Sequence, residues 1–92
     1  IVSFANSASE KVWLREHVTK LPPEIQRIAH RKMLMIEAAE YIHDLRVPPG
    51  NRLEALSGNR KGQHSIRIND KWRICFTWTR AGASDIEIVD YH

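Results

Sequence analysis

Arg67 and Arg73 stand on either side of a turn at Asn69-Asp70. From Ile66 to Trp78 apolar and polar residues alternate with period two, as strands with one buried face require. Ile66 and Ile68 share a face of the first strand; Trp72, Ile74, Phe76 and Trp78 share a face of the second. A two-residue loop would pair Ile66 with Arg73 and put the two apolar rows on opposite faces. A three-residue loop, Asn69 to Lys71, pairs Ile68 with Trp72 and Ile66 with Ile74, so both rows face one core. The same register sets Arg67 beside Arg73 on the other face. Like charges directly across a ladder destabilise it by a few tenths to about 1 kcal/mol. The two arginines are therefore either splayed and solvated or arranged to receive an anion. A guanidinium fork matches the oxygens of a phosphate, and an RNA phosphate is the obvious candidate.

Other residues with chemical potential are less specific. Gly58 and Gly62 enclose Arg60 and Lys61, a spacing that could cradle a phosphate on backbone amides or serve as an ordinary hairpin connection. The five histidines, 17, 30, 43, 64 and 92, lack ligand spacing; His30 and His43 lie thirteen residues apart on one predicted helix, so a zinc site is not expected. The single Cys75 has no internal disulfide partner and reads as a structural thiol on the polar face of its strand, in a chain suited to a reducing cytosol.

These strands need a support, and the rest of the chain supplies it. Ninety-two residues with 42% hydrophobic content make one domain spanning 1–92 with a modest core. A net charge of +3 leans toward an anionic partner. No apolar run approaches ~18 residues and no signal-peptide pattern opens the chain, so no membrane span or export address is expected. The sequence begins at Ile1 without Met, so a few residues are expected to precede it.

Ile1 to Phe4 reads as an edge strand. Ser7 and Glu10 fit a capping box that opens a helix over about Ala8–His17. Pro23 suits the first turn of a second helix, and Ile25, Ile28, Ala29, Met35, Ile36, Ala39 and Ile42 recur at helical spacing, which predicts a helix to about Leu45. Its other face carries Arg27, His30, Arg31, Lys32 and Glu40, either solvated or touching nucleic acid or a partner. Met33 to Ile36 exceed one apolar stripe, so this helix is expected to be covered on a second side. A stiff Pro48-Pro49 loop follows, then a strand over Arg52–Leu56, the central hairpin, a turn at Arg80-Ala81-Gly82, and a last strand from Ser84 to about Asp90. The predicted class is α+β: a short N-terminal strand, two helices, then a four-strand antiparallel meander with the helices on one face.

The ordered set Asn51-Arg52-Leu53, Leu56, Gly58, Arg60-Lys61-Gly62, Ser65-Ile66, Asn69, Trp72-Arg73-Ile74, Phe76 and Asp90-Tyr91-His92 resembles the HigB-like branch of the RelE superfamily. These are killer toxins of type II toxin-antitoxin systems. The resemblance implies a RelE-like fold and a cytoplasmic endoribonuclease that enters the ribosomal A site on the small subunit and cuts mRNA there. It implies the RNA's own 2′-hydroxyl as nucleophile, no metal or other cofactor, and a HigA-like helix-turn-helix antitoxin as partner.

Carried onto this chain, the resemblance makes Arg73 the group that binds the scissile phosphate and stabilises its transition-state charge. Arg60, Lys61 and Arg67 become supporting phosphate contacts. His92 becomes the proton-transfer group, since an imidazole titrates near neutrality and such a group typically contributes about 10²–10⁴-fold. The sequence ends at His92, and its α-carboxylate would favour the imidazolium of a general acid. Asp90 would orient His92 or act as base, and Tyr91 would stack on a base or donate to the phosphate. Where the family pattern reads Leu-His-Pro-Leu-Lys-Gly-Asp-Arg, this chain has Leu53-Glu54-Ala55-Leu56-Ser57-Gly58-Asn59-Arg60. Glu54 thus replaces a catalytic candidate, though a carboxylate can still accept a proton. Two other readings stay open: a ParE-like inhibitor of DNA gyrase that shares the fold without nuclease activity, and a degenerate toxin that only binds its antitoxin.

Overall fold

A computed structural model describes residues 1–90; Tyr91 and His92, and the expectations placed on them, lie outside the described residues. Two helices, α1 (Ser7–Trp13) and α2 (Pro23–Ala38), precede four strands: β1 (Glu54–Ala55), β2 (His64–Arg67), β3 (Trp72–Thr79) and β4 (Gly82–Asp90). The strands form one antiparallel meander in the order β1-β2-β3-β4. This is the expected α+β architecture.

The central hairpin adopts the register that its apolar rows demand. Ile66 pairs with Ile74 and Arg67 with Arg73. Its loop is closed by Ile68 N–H to Trp72 C=O at 2.9 Å, and the Asn69 carboxamide oxygen accepts from the amides of Lys71 and Trp72. Asn69 therefore supplies the turn through its own side chain. Helices and sheet enclose Ile25, Ala29, Met33, Ile36, Ile66, Ile74, Phe76 and Ile86, all buried, with Trp72 and Trp78 packed at the margin.

Between β3 and β4 the pairing slips: Cys75 opposes Glu87, but Thr77 opposes Ser84. The extra residue lies near Asp85, which has φ 53°. This bulge lets Ala83, Ile86 and Ile88 all face the core, a spacing that strict alternation forbids.

Several boundaries differ from expectation. The Ile1–Phe4 segment runs parallel beside β4 through a single bridge, Phe4 to Ile86, instead of forming a full strand. Asn6, not Ser7, caps α1: its side chain accepts from the Ser9 amide at 2.9 Å. The Ser9 hydroxyl is thereby turned inward to accept from the Ile88 amide of β4 at 3.0 Å. Helix α1 stops at Trp13 and the chain turns through Arg15 at φ 64°.

Helix α2 ends at Ala38, not Leu45. The Asp44 carboxylate accepts from the amides of Glu40 and Tyr41 at 2.9 and 3.1 Å, which favours a break over continued helix. A 3₁₀ turn, Ile42–Arg46, then buries Leu45, and a second, Pro49–Asn51, occupies the loop. Only Glu54 and Ala55 of the predicted Arg52–Leu56 strand join the ladder.

Two substitutions test this assignment. Phe76→Ala should lower stability in urea by about 3–5 kcal/mol through the cavity it leaves. Asn6→Ala should cost about 1 kcal/mol and Ser7→Ala nearly nothing; the reverse order would return the cap to Ser7.

Candidate functional site

The site is built on the sheet face opposite the helices. That face is not open, as the alternation alone suggested. The Arg52 carbonyl reaches Arg73 and the Arg60 side chain reaches Glu87 across it; Ser65 and Cys75 are fully buried and Arg73 is only 8% exposed. A buried guanidinium is costly unless its donors are satisfied. Arg73 Nε donates to the Ser65 hydroxyl at 2.8 Å, and Nη2 donates to the Arg52 carbonyl at 2.7 Å. The Glu54 carboxylate stands 4.0 Å from Nη2 and is half exposed. Arg73 is thus held from β2, from the loop before β1, and by β1 itself.

The other predicted residues gather around it unequally. Arg67 lies beside Arg73 and bonds to Asp70 at the hairpin loop, so the like-charged pair carries a counter-ion. Arg60 reaches Glu87 of β4 at 3.1 Å and Gln63 at 3.0 Å. Lys61 is exposed at the end of the 3₁₀ turn Gly58–Arg60. A hollow of about 340 Å³ opens between Ala55, Leu56, Ser57, Asn59 and Arg60 on one side and Val89 and Asp90 on the other.

Asp90 pairs with Trp72, one position beyond the Arg73–Val89 pair, and its carboxylate lies 3.6 Å from Lys71 Nζ. By register that side chain belongs to the Trp72 face, while the residue itself forms the rim of the hollow. A second hollow of about 300 Å³, where the end of α1 meets α2, is lined by Arg27 and His30 of the charged α2 face and by none of the predicted catalytic or phosphate-binding residues.

Cys75 is buried, not placed on a solvated face. Burial pushes its thiol pKa up; Arg60 and Arg73 oppose this and Glu87 reinforces it. Cys75 pairs with Glu87, which holds Arg60, and with Ser65, which holds Arg73, so the three charged groups occupy one neighbourhood. A neutral, covered thiol is a poor nucleophile.

Lys32 also departs from expectation. It is 8% exposed, and its Nζ donates to the side-chain oxygen of Asn51, itself fully buried. Burial first, and then the like charges of Arg31 and Arg67, push the Lys32 pKa below its ordinary 10.5. Its spacing was the missed signal: three residues after Ala29 and four before Ile36, it lies on the apolar stripe. Ser65 was legible by parity, two residues before Arg67 on the same face. Asn51 and Arg52 entered the sequence reading only as part of the motif Asn51-Arg52-Leu53; nothing there pointed to the buried carboxamide or to the Arg52 carbonyl as an acceptor.

Among the described residues no group of three or more His, Cys, Asp or Glu side chains converges to hold a metal. No helix among them is long and apolar enough to cross a membrane.

A two-helix layer on a four-strand antiparallel meander is consistent with a RelE-like fold. The chain belongs to the HigB-like toxin family: the profile described as "RelE-like toxin of type II toxin-antitoxin system HigB" matches residues 2–92. It is 47% identical over 58 residues to Toxin HigB-1 of Vibrio cholerae, covering 63% of this chain and 61% of that protein. It is 38% identical over 60 residues to an uncharacterised protein of Haemophilus influenzae, covering 65% of this chain and 59% of that one. These matches span about three fifths of the length of each relative.

The buried lysine has a measurable signature. Between the lowered folded pKa of Lys32 and its unfolded value near 10.5, the unfolded chain binds more protons, so stability rises with pH there. In urea titrations the stability of wild type relative to Lys32→Met should therefore increase from neutral pH toward 10.5. A difference that stays constant would contradict the burial.

Proposed function

We propose that this chain is the toxin of a type II toxin-antitoxin pair and acts as a ribosome-dependent mRNA endoribonuclease. The observation that carries the reading is the clamped Arg73, with Arg67 beside it and Glu54 at 4.0 Å. Membership of the HigB-like family supports it. The proposed partners are mRNA, the A site of the small ribosomal subunit and a HigA-like helix-turn-helix antitoxin, all in the cytoplasm.

In the proposed reaction a base takes the proton of the RNA 2′-hydroxyl. The 2′-oxygen attacks the adjacent phosphorus, and the bond from phosphorus to the 5′-oxygen breaks. An acid then protonates that oxygen, which leaves a 2′,3′-cyclic phosphate and a 5′-hydroxyl. Arg73 stabilises the charge that builds on the non-bridging oxygens; being already oriented, it needs no rearrangement as the charge develops. Glu54 is the proposed acceptor of the 2′ proton, a reading supported by its half-exposed carboxylate 4.0 Å from the guanidinium. His92 is the proposed acid, and Tyr91 is proposed to stack on a neighbouring base. Arg60, Arg67 and Lys61 engage flanking phosphates, where each cation adds salt-dependent affinity. No step in this scheme requires a metal.

Mapping the 5′ ends of transcripts in cells that make the protein tests this. Cuts should fall within translated regions and carry 5′-hydroxyls. Arg73→Ala should reduce them by about 10²–10³-fold, as loss of a transition-state donor does, and His92→Gln should reduce them as well. Undiminished cleavage in both variants would remove these residues from the chemistry. Intact transcripts together with inhibited DNA gyrase would replace the nuclease reading with the ParE-like one.

A further inference from the structure

The loop that holds Arg73 is itself tethered from the helical layer. Asn51, 0% exposed, accepts from Lys32 Nζ and donates through its amide nitrogen to the carbonyls of Leu45 and Val47 at 3.2 and 3.5 Å. The same nitrogen approaches Met35 Sδ at 3.9 Å. Lys32 and Met35 both lie on α2, so one carboxamide joins that helix to the C-terminal end of the Ile42–Arg46 turn. The next residue, Arg52, has φ 47° and ψ 56°, a left-handed conformation that disfavours side chains with a Cβ by roughly 1–2 kcal/mol. Its carbonyl is the one that accepts from Arg73 Nη2 at 2.7 Å.

A lysine on an apolar stripe is a poor choice for stability alone. Methionine would fill the same space without desolvating a charge. Strained backbone at Arg52 is a second local cost, and both converge on the carbonyl that orients Arg73.

We infer that Lys32 and Asn51 are positioning residues for Arg73, acting through the Arg52 carbonyl from the opposite layer of the fold. That Arg73 then contributes to RNA cleavage rests on the nuclease reading above; the positioning itself does not. The tether fixes the loop, the left-handed residue turns the carbonyl, and the carbonyl with Ser65 sets the plane of the guanidinium. A displacement of about 1 Å at a reacting group can lower a rate by about 10²-fold, so a remote tether of this kind affects turnover more than binding.

The test uses two readouts on Lys32→Met and Asn51→Ala. The first is the Arg73 Nε–H resonance in ¹H–¹⁵N spectra, assigned by its absence in Arg73→Lys. It should shift or broaden in both variants while the backbone spectrum remains folded, and Lys32→Arg should move it back toward wild type. The second is cleavage on programmed ribosomes, where kcat should fall about tenfold or more with KM changed less than about threefold. An unmoved Arg73 resonance with unchanged kcat, accompanied only by a lower Tm, would show a merely structural role and overturn the inference. If Asn51→Ala does not fold, Lys32→Met decides, because its side chain suits the stripe. If the wild-type chain cuts no RNA, the nuclease reading fails and the resonance alone judges the tether.

Discussion

A charged guanidinium is enclosed beneath the polar face of a small sheet, and much of the structure follows from satisfying it. Arg73 cannot be buried on β3 without acceptors. The Ser65 hydroxyl comes from the neighbouring strand, the Arg52 carbonyl from the loop leading into β1, and the Glu54 carboxylate approaches from β1 itself. Each depends on a different long-range feature. Ser65 requires the hairpin register, Arg52 requires the left-handed turn, and Glu54 requires that β1 pair with β2 at the sheet edge.

The helical layer gives these features something rigid to rest on. Alpha-helix packing buries Ile66, Ile74 and Phe76 under Ile25, Met33 and Ile36, which locks the parity of β2 and β3. Slipping the hairpin by one residue would put the two apolar rows on opposite faces and turn either Arg67 or Arg73 into that core, so the apolar rows enforce the placement of the cations. The bulge near Asp85 does related work on β4: it brings Ile86 and Ile88 into the core and leaves Glu87 beside Arg60 and Cys75.

What could be read from the chain, and what could not, divides along the range of the interaction. The Arg67–Arg73 pairing was legible because two apolar rows and one loop length permit a single register. The end of α2 was not, because Ala39 and Ile42 continue the helical period while Asp44 caps the Glu40 and Tyr41 amides instead. Alternation also reveals which face of a strand is polar, but not whether another segment covers it. Cys75 and Arg73 were therefore expected on an open face, and both are buried where the Arg52 carbonyl and the Arg60 side chain reach over it. Lys32 is the intermediate case: its position on the stripe was visible, but its charge argued for solvent, and only the buried Asn51 explains its place inside.

Held in this way, Arg73 offers direction as well as charge. A guanidinium keeps a planar fork while two of its edges are bound to protein, whereas a lysine ammonium is a point charge on a flexible stem. The central claim, that fixed orientation at this position carries the cleavage, is tested most directly by measuring mRNA cleavage on programmed ribosomes for Arg73→Lys. The account predicts activity about a hundredfold below wild type, comparable to complete removal of the side chain. Activity within about threefold of wild type would show that charge alone suffices, and would contradict it.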